Sequence, residues 1–243
     1  IAEGLALRII QKDVPENLVP FLQNFAPKYS LLRNDISMTM PIPAEWQNFE
    51  DYTKALKHKY AQKLRKVRSG TEAVRIEELS TEAVIANAEK IYDLYRQVSS
   101  HQNISLGLLS KDFLPELKKR QPEELKIWVF YEGEKMVAFA SAWLHTDCFD
   151  MFYIGFDYER NAALSLYFNI LYFSIEQAIV HKKQRLNLGR TALEAKARLG
   201  CTARYLSTFL YVSSPIVRRV VIAKMNNQSQ QEGAWEERHP FKK

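Results

Sequence analysis

The stretch KMVAFASAWLHTDCFDMFYIGF, Lys135–Phe156, decides how this chain folds. It contains two apolar runs, Met136–Leu144 and Cys148–Phe156, separated only by His145, Thr146 and Asp147. Short apolar runs bounded by turn residues read as strands. A connector of that length allows only antiparallel neighbours. Upstream, Ile127–Tyr131 reaches Met136 through Glu-Gly-Glu-Lys, with Gly133 suited to a tight hairpin. Three strands therefore form an antiparallel meander.

Downstream, Asn161–Lys183 reads as a long helix, apolar around most of its first half, which suits burial against a sheet. Arg185–Leu188 then reads as a short strand. It follows a helical crossover, so it should run parallel to its predecessor. Thr191–Leu199 reads as a short helix and Tyr205–Val212 as a last strand, with a polar, mobile tail to the end. Upstream, Leu5–Ile10 and Asp35–Ile42 alternate like strands, with a helix over Val14–Phe25 between them. Trp46, Phe49, Tyr52, Leu56, Tyr60, Leu64 and Val67 fall at steps of three and four, one stripe of a single long helix closed by Gly70. Ala73–Leu79 reads as a strand, and helices follow over Ala83–Val98 and Lys111–Lys119. The expected class is α/β (α+β): a mixed, mostly antiparallel sheet flanked by helices. Where the meander meets the parallel crossover, two strands can diverge and leave a cleft.

The 243 residues are 47% apolar, which excludes a disordered chain. Polar residues interrupt every apolar stretch before a membrane span is complete, and no signal peptide is visible, so a cytoplasmic protein is expected. The chain does not begin with Met, which suggests the C-terminal part of a longer protein. Cys148 and Cys201 sit in apolar surroundings and read as buried, reduced thiols. No Cys/His cluster has metal-ligand spacing, so no metal is expected. No Ser/His/Asp order or nucleophile elbow occurs, which disfavours serine hydrolysis. The net charge of +6 is concentrated in Lys57, Lys59, Lys63, Arg65, Lys66 and Arg68. Such a run is either a solvated face or a guide for an anionic partner.

Three stretches carry a family likeness. WQNFEDYTKALKHKYAQKLRKVRSG (46–70), KMVAFASAWLHTDCFDMFYIGFDYE (135–159) and RLNLGRTALEAKARLG (185–200) together resemble the GNAT acyltransferase superfamily, most closely its Fem-type branch of peptidoglycan aminoacyltransferases. Fem-type proteins resemble two GNAT-like halves in tandem. On that likeness, residues 1–70 would be the remnant of a first half plus a basic connecting helix. Residues 71–213 would be a GNAT-like acyltransferase domain, and residues 214–243 a polar tail. The resemblance implies an N-acyltransferase that moves an acyl or aminoacyl group from a thioester or ester donor to a small-molecule or peptide amine. Acyl-CoA is the implied donor, with aminoacyl-tRNA as the Fem-type alternative. The Lys57–Arg68 helix would then meet tRNA or an acyl carrier protein. Where GNAT enzymes carry a glycine-rich phosphate loop, this chain reads DYERNAALSLYFN (157–169), without glycine. A catalytically silent GNAT-like binding module and a nucleic-acid-binding protein are the rival expectations.

Amide-forming transfer needs a polarised carbonyl, a deprotonated amine and a protonated leaving group. Strict alternation from Phe149 puts Phe149, Met151, Tyr153 and Gly155 on one face of the strand and Asp150, Phe152, Ile154 and Phe156 on the other. A carboxylate in so apolar a strand is costly unless paired or open to a cleft. Asp150 is therefore the first catalytic candidate, followed by Tyr153 and His145. Asp147 and Asp157 are lesser candidates, and His101 lies in a loop where the resemblance implies acceptor binding. Donor-binding candidates are Ile154, Gly155, Asn161 and Ser165, with Arg190 and Lys196 holding an anionic part of donor or acceptor. Arg190 and Glu194 are spaced to pair on a helix, and Lys196 reads alternatively as solvated.

Overall fold

The computed structural model describes residues 7–25, 29–69, 74–101, 108–212, 214, 216–220, 222–223 and 235–242. Its elements are β1 (Leu7–Pro15), α1 (Val19–Phe25), β2 (Ser30–Pro41), α2 (Phe49–Ala55), α3 (His58–Ser69), β3 (Val74–Glu78), α4 (Thr81–Ala86), α5 (Ala88–Ser100) and α6 (Phe113–Arg120). There follow β4 (Leu125–Glu132), β5 (Lys135–Leu144), β6 (Cys148–Phe156), α7 (Tyr158–Leu164), α8 (Leu166–Val180), β7 (Arg185–Asn187), α9 (Leu193–Ala197) and β8 (Thr202–Val212). Among the described residues the strands form one eight-stranded sheet in the order β1-β8-β2-β7-β6-β5-β4-β3. All neighbours are antiparallel except β6 and β7. The mixed, mostly antiparallel class and the meander β4-β5-β6 are as the sequence predicts.

Helix α8 packs on β5, β6 and β7, and α5 lies against β5 and β6. The two helices belong to different apolar clusters. One gathers Phe149, Phe156 and most of α8, and the other gathers Val84, Ile91, Leu94 and Phe139. Gly155 is where α5 comes closest: a Cβ there would lie 2.5 Å from the Leu94 carbonyl carbon and from the Tyr95 nitrogen. No side chain fits between those backbones.

Three predicted helices are broken. The Trp46–Gly70 stripe divides at Leu56, whose backbone is extended and forms an isolated bridge with Phe241. Lys57 N donates to Pro240 O, and Lys242 N to Ala55 O, so this break is filled by residues far along the chain. The tail expected to be mobile is thus docked over residues 235–242, whereas 224–234 lie outside the described residues. The Ala83–Val98 helix divides at Asn87 between α4 and α5. The Asn161–Lys183 helix divides at Ser165, which adopts left-handed φ 47° and ψ 40°. Among the described residues no single helix is long and apolar enough to cross a membrane. α7 and α8 reach that length only together, across a 70° bend.

The strand phase of β6 also differs from strict alternation. A register shift interrupts the β5–β6 ladder between Ala140 and Ala142. At this bulge Ser141 Oγ donates to Tyr153 O (2.7 Å) and accepts from Tyr153 N (2.9 Å). Phe152 and Tyr153 both join the α5-side cluster, while Ile154 and Phe156 join the α8 side with Phe149 and Met151. The extra residue reverses the in–out pattern beyond Phe152, as bulges do.

Candidate functional site in the β6–β7 splay

Strands β6 and β7 pair only at Cys148↔Arg185, Phe149↔Leu186 and Asp150↔Asn187. β7 then ends, while β6 continues to Phe156. The chain after β7 turns at Gly189 (φ 77°) and runs into α9. The two parallel strands therefore splay from Asp150 and Asn187 onward, and polar groups gather there.

A hydrogen-bonded line crosses three strands. Ser37 Oγ donates to Asn187 Oδ1 (2.6 Å), and Gly189 N donates to the same oxygen (3.1 Å). These contacts fix the amide, so Asn187 Nδ2 donates to Asp150 Oδ1 (2.8 Å). Asp150 Oδ2 lies 3.8 Å from His145 Nε2, too long for a hydrogen bond. Burial raises the Asp150 carboxyl above its ordinary value, while His145, Asn187 and Arg185 oppose the rise. Asp150 and His145 are thus brought together at the point of divergence. Tyr153 is not with them: it stands among Tyr95, Phe113 and Phe152. Its phenol is pushed up by burial and then by Tyr95. Asn187 and Ser37 were missed in the sequence. The predicted parallel pairing was the signal for Asn187, since it places that residue beside the middle of β6.

Lys196, on α9, is 2% exposed. The alternative of a solvated lysine is therefore overturned: α9 turns this side chain inward. Its amine makes no hydrogen bond or ion pair among the described residues, and burial lowers it to about 8, with Cys201 its one opposing influence. Cys201 is pushed up to about 12 by burial, against the pull of Lys196. The Tyr167 hydroxyl, which also feels Cys201, is buried with no hydrogen-bond partner. A lysine and a phenol buried this way are groups whose partner the fold does not supply.

The remaining candidates are engaged by the chain. Arg190 pairs with Asp13 (2.6 Å) and not with Glu194, because α9 begins only at Leu193. Glu194 accepts from Arg198 and Arg238. Asp157 caps α7 and pairs with Lys135 (2.7 Å). Burial would raise its carboxyl, but Lys135 and the helix N–H groups hold it below the ordinary value. Asp147 pairs with Arg185 (3.5 Å). His101 stacks on Tyr158 at 3.8 Å. Asn161 Oδ1 accepts from Tyr167 N (3.0 Å), and Ser165 O accepts from Asn169. Ile154 packs with the α8-side core. Both cysteines are free and buried. Among the described residues no three metal-ligating side chains converge.

The chain thus combines a mixed sheet whose one parallel pair parts at Asp150 and Asn187 with a buried amine on α9. The FemAB-like family, described as one of peptidoglycan biosynthesis and recognition, matches residues 24–243, and the chain belongs to it. Its fold is similar to that of FemX, with a TM-score of 0.62 at 10% identity over 89% of this chain and 75% of that one. It is also similar to the C-terminal domain of a lysylphosphatidylglycerol synthetase from Agrobacterium fabrum, with a TM-score of 0.61 at 13% identity over 89% and 72%. L-PGS from Bacillus licheniformis gives a TM-score of 0.57 at 12% identity over 88% and 71%. No curated protein matches the chain.

Proposed function

We propose that the chain is an N-acyltransferase that moves an aminoacyl or acyl group from an ester or thioester donor to a primary amine. The observation that carries this is the buried Lys196 amine on α9, unpartnered among the described residues, together with an Asp150 carboxylate oriented by Asn187 where β6 and β7 part. In this reading the donor carbonyl lies near Lys196. The ammonium stabilises the oxygen charge that develops as the amine attacks, an effect strengthened by exclusion of water. A lysine titrating near neutrality also gives its proton readily to the departing oxygen or sulfur. Asp150, oriented by Asn187, accepts the proton of the attacking amine. The division into a first-half remnant over residues 1–70, a GNAT-like domain over 71–213 and a tail over 214–243 belongs to the same reading, as does a cytoplasmic location.

The residues present do not fit the pyrophosphate of coenzyme A at the α7–α8 helix starts. Tyr158 N donates to Gln97 Oε1, and Glu159 N and Arg160 N donate to Asp157 Oδ1. Tyr167 N at the start of α8 is taken by Asn161. A carboxylate already occupies the position a phosphate would need. This supports an ester donor, of which aminoacyl-tRNA is the Fem-type case, over acyl-CoA.

One further observation supports a polyanionic donor. Lys59, Lys63, Arg65 and Lys66 project from α3, exposed and without ion pairs among the described residues. Arg68 instead pairs with Glu176 and covers Phe49, and Lys57 Nζ caps His239 O. The exposed row tracks a phosphate backbone in this reading, with the peptide or small-molecule amine entering at Asp150.

The test presents the purified protein with an amine acceptor and either aminoacyl-tRNA or acyl-CoA. Transfer from the RNA ester only is expected. Asp150→Asn should stay folded and lose ~10²–10⁴-fold in rate, the usual worth of a positioned proton acceptor. Undiminished turnover by that variant removes Asp150 from its role. Absence of transfer from both donors returns the silent binding module to the front.

A further inference from the structure

Helix α9 spans only Leu193–Ala197 and starts at Ala192, left-handed at φ 53°, with no side-chain cap. So short a helix has almost no stability of its own. It nevertheless holds Lys196, a side chain that gains nothing by being buried. Residues 235–242 reach both of its ends. They cross the α2–α3 junction, where Leu56 pairs with Phe241 and the Lys57 and Lys242 amides are satisfied.

Two attachments from this segment bracket Lys196. Before it, Arg238 Nη2 donates to Glu194 Oε1 (2.9 Å), which also accepts from Arg198 Nη2 (2.7 Å). After it, the Phe241 ring presses on Gly200 so closely that a Cβ there would sit 2.3 Å from the ring. Phe241 also meets Trp46 and Tyr52, with ring centroids 5.7 and 6.0 Å away. Tyr52 in turn donates to Leu199 O (3.0 Å). Both ends of α9 are thus held by one distant segment or by side chains it touches.

We propose that residues 235–242 are a clasp that positions Lys196, with Arg238 and Phe241 acting through α9. The proposal rests on Lys196 serving the transfer, but its geometry does not. The titratable groups of the pocket are Cys201, Tyr167 of α8, Tyr52 of α2 and Tyr172 of α8, all pushed up by burial and neutral at pH 7. Glu194, Arg198 and Arg238 stand on its exposed side. With no anion in the pocket at neutral pH, the titration of Lys196 reports how well the clasp keeps water out.

Competitive labelling with trace acetic anhydride across pH, read at Lys196 by mass spectrometry, measures this without any turnover. Three variants of the full chain are used: Phe241→Ala, Phe241→Leu, and Arg238→Lys, which keeps the charge and loses the planar fork. In Phe241→Ala the Lys196 midpoint should move up by about one pH unit toward an ordinary lysine, and labelling should accelerate. Arg238→Lys should shift the same way by less, and Phe241→Leu should restore part of the wild-type midpoint. An unchanged midpoint in both Phe241→Ala and Arg238→Lys overturns the clasp. If Phe241→Ala does not fold, Arg238→Lys decides alone. If wild-type protein transfers nothing while the midpoint still shifts, the transferase reading fails and the clasp stands.

Discussion

Among the described residues two lysines are buried, and they are buried differently. Lys118, 3% exposed on α6, donates to Pro122 O (2.7 Å) and Leu125 O (2.8 Å). It closes the loop between α6 and β4 and leaves two carbonyls satisfied. Lys196, 2% exposed on α9, donates to nothing among the described residues and has the Cys201 thiol as its electrostatic neighbour. Burial lowers both amines. Equal burial therefore separates into a structural amine, whose bonds belong to the fold, and an amine whose bonds are left for something else.

Removing each lysine sharpens that contrast. The largest effect is expected for Lys196→Met in a transfer assay, a loss of ~10²–10⁴-fold, as for a positioned proton donor or charge. Lys118→Met should leave the rate unaltered, and equal losses in both variants would erase the distinction. Stability across pH is next. The unfolded Lys196 titrates near 10.5 and the folded one near 8, so below pH 8 both states are protonated and the folded state carries the full cost of a buried charge. Between these values the unfolded state holds more protons, and stability rises with pH. The rise attributable to this group is about 3 kcal/mol. It should appear as a difference between wild type and Lys196→Met in urea melts from pH 7 to 10.5. A difference flat in pH would mean that Lys196 is solvated.

Lys118→Met has the opposite sign at neutral pH. It strands two carbonyls and should destabilise by ~1–3 kcal/mol, seen as a lower urea midpoint with the same slope. An unchanged midpoint would show that water replaces the amine. The smallest effect concerns lysines that are not buried at all. Replacing Lys63 on α3 by Gln should reduce the salt slope of RNA binding by about one, without altering stability. A slope that does not change would detach α3 from any phosphate backbone.

The meander was legible because connectors as short as His145–Asp147 leave strands no other choice, and the parallel step followed from the crossover before Arg185. The breaks at Leu56 and Ser165 were not legible. Leu56 is interrupted by Phe241, about 180 positions away, which no local pattern encodes. Ser165 adopts a left-handed conformation that serine does not advertise. The bulge at Ser141 reversed the faces of Tyr153 and Ile154, because alternation carries no sign of an inserted residue. In the site, Asp150 was legible as a charge out of place in an apolar strand. Lys196 read equally well as solvent-facing, since a short helix with Glu194, Lys196 and Arg198 gives no hint which charge turns inward.

Strand β8 lies between β1 and β2 in the sheet, although it is made after all the other strands. During synthesis, the edge of β1 and one edge of β2 must therefore wait, with their backbone donors and acceptors unpaired, for nearly the whole chain to emerge. Closure depends on contacts of very long sequence separation, which are slow to form. Until it occurs, both waiting edges can accept a foreign strand. Yield in a cell should thus depend on holding the nascent chain apart from its neighbours as much as on the stability of the finished sheet.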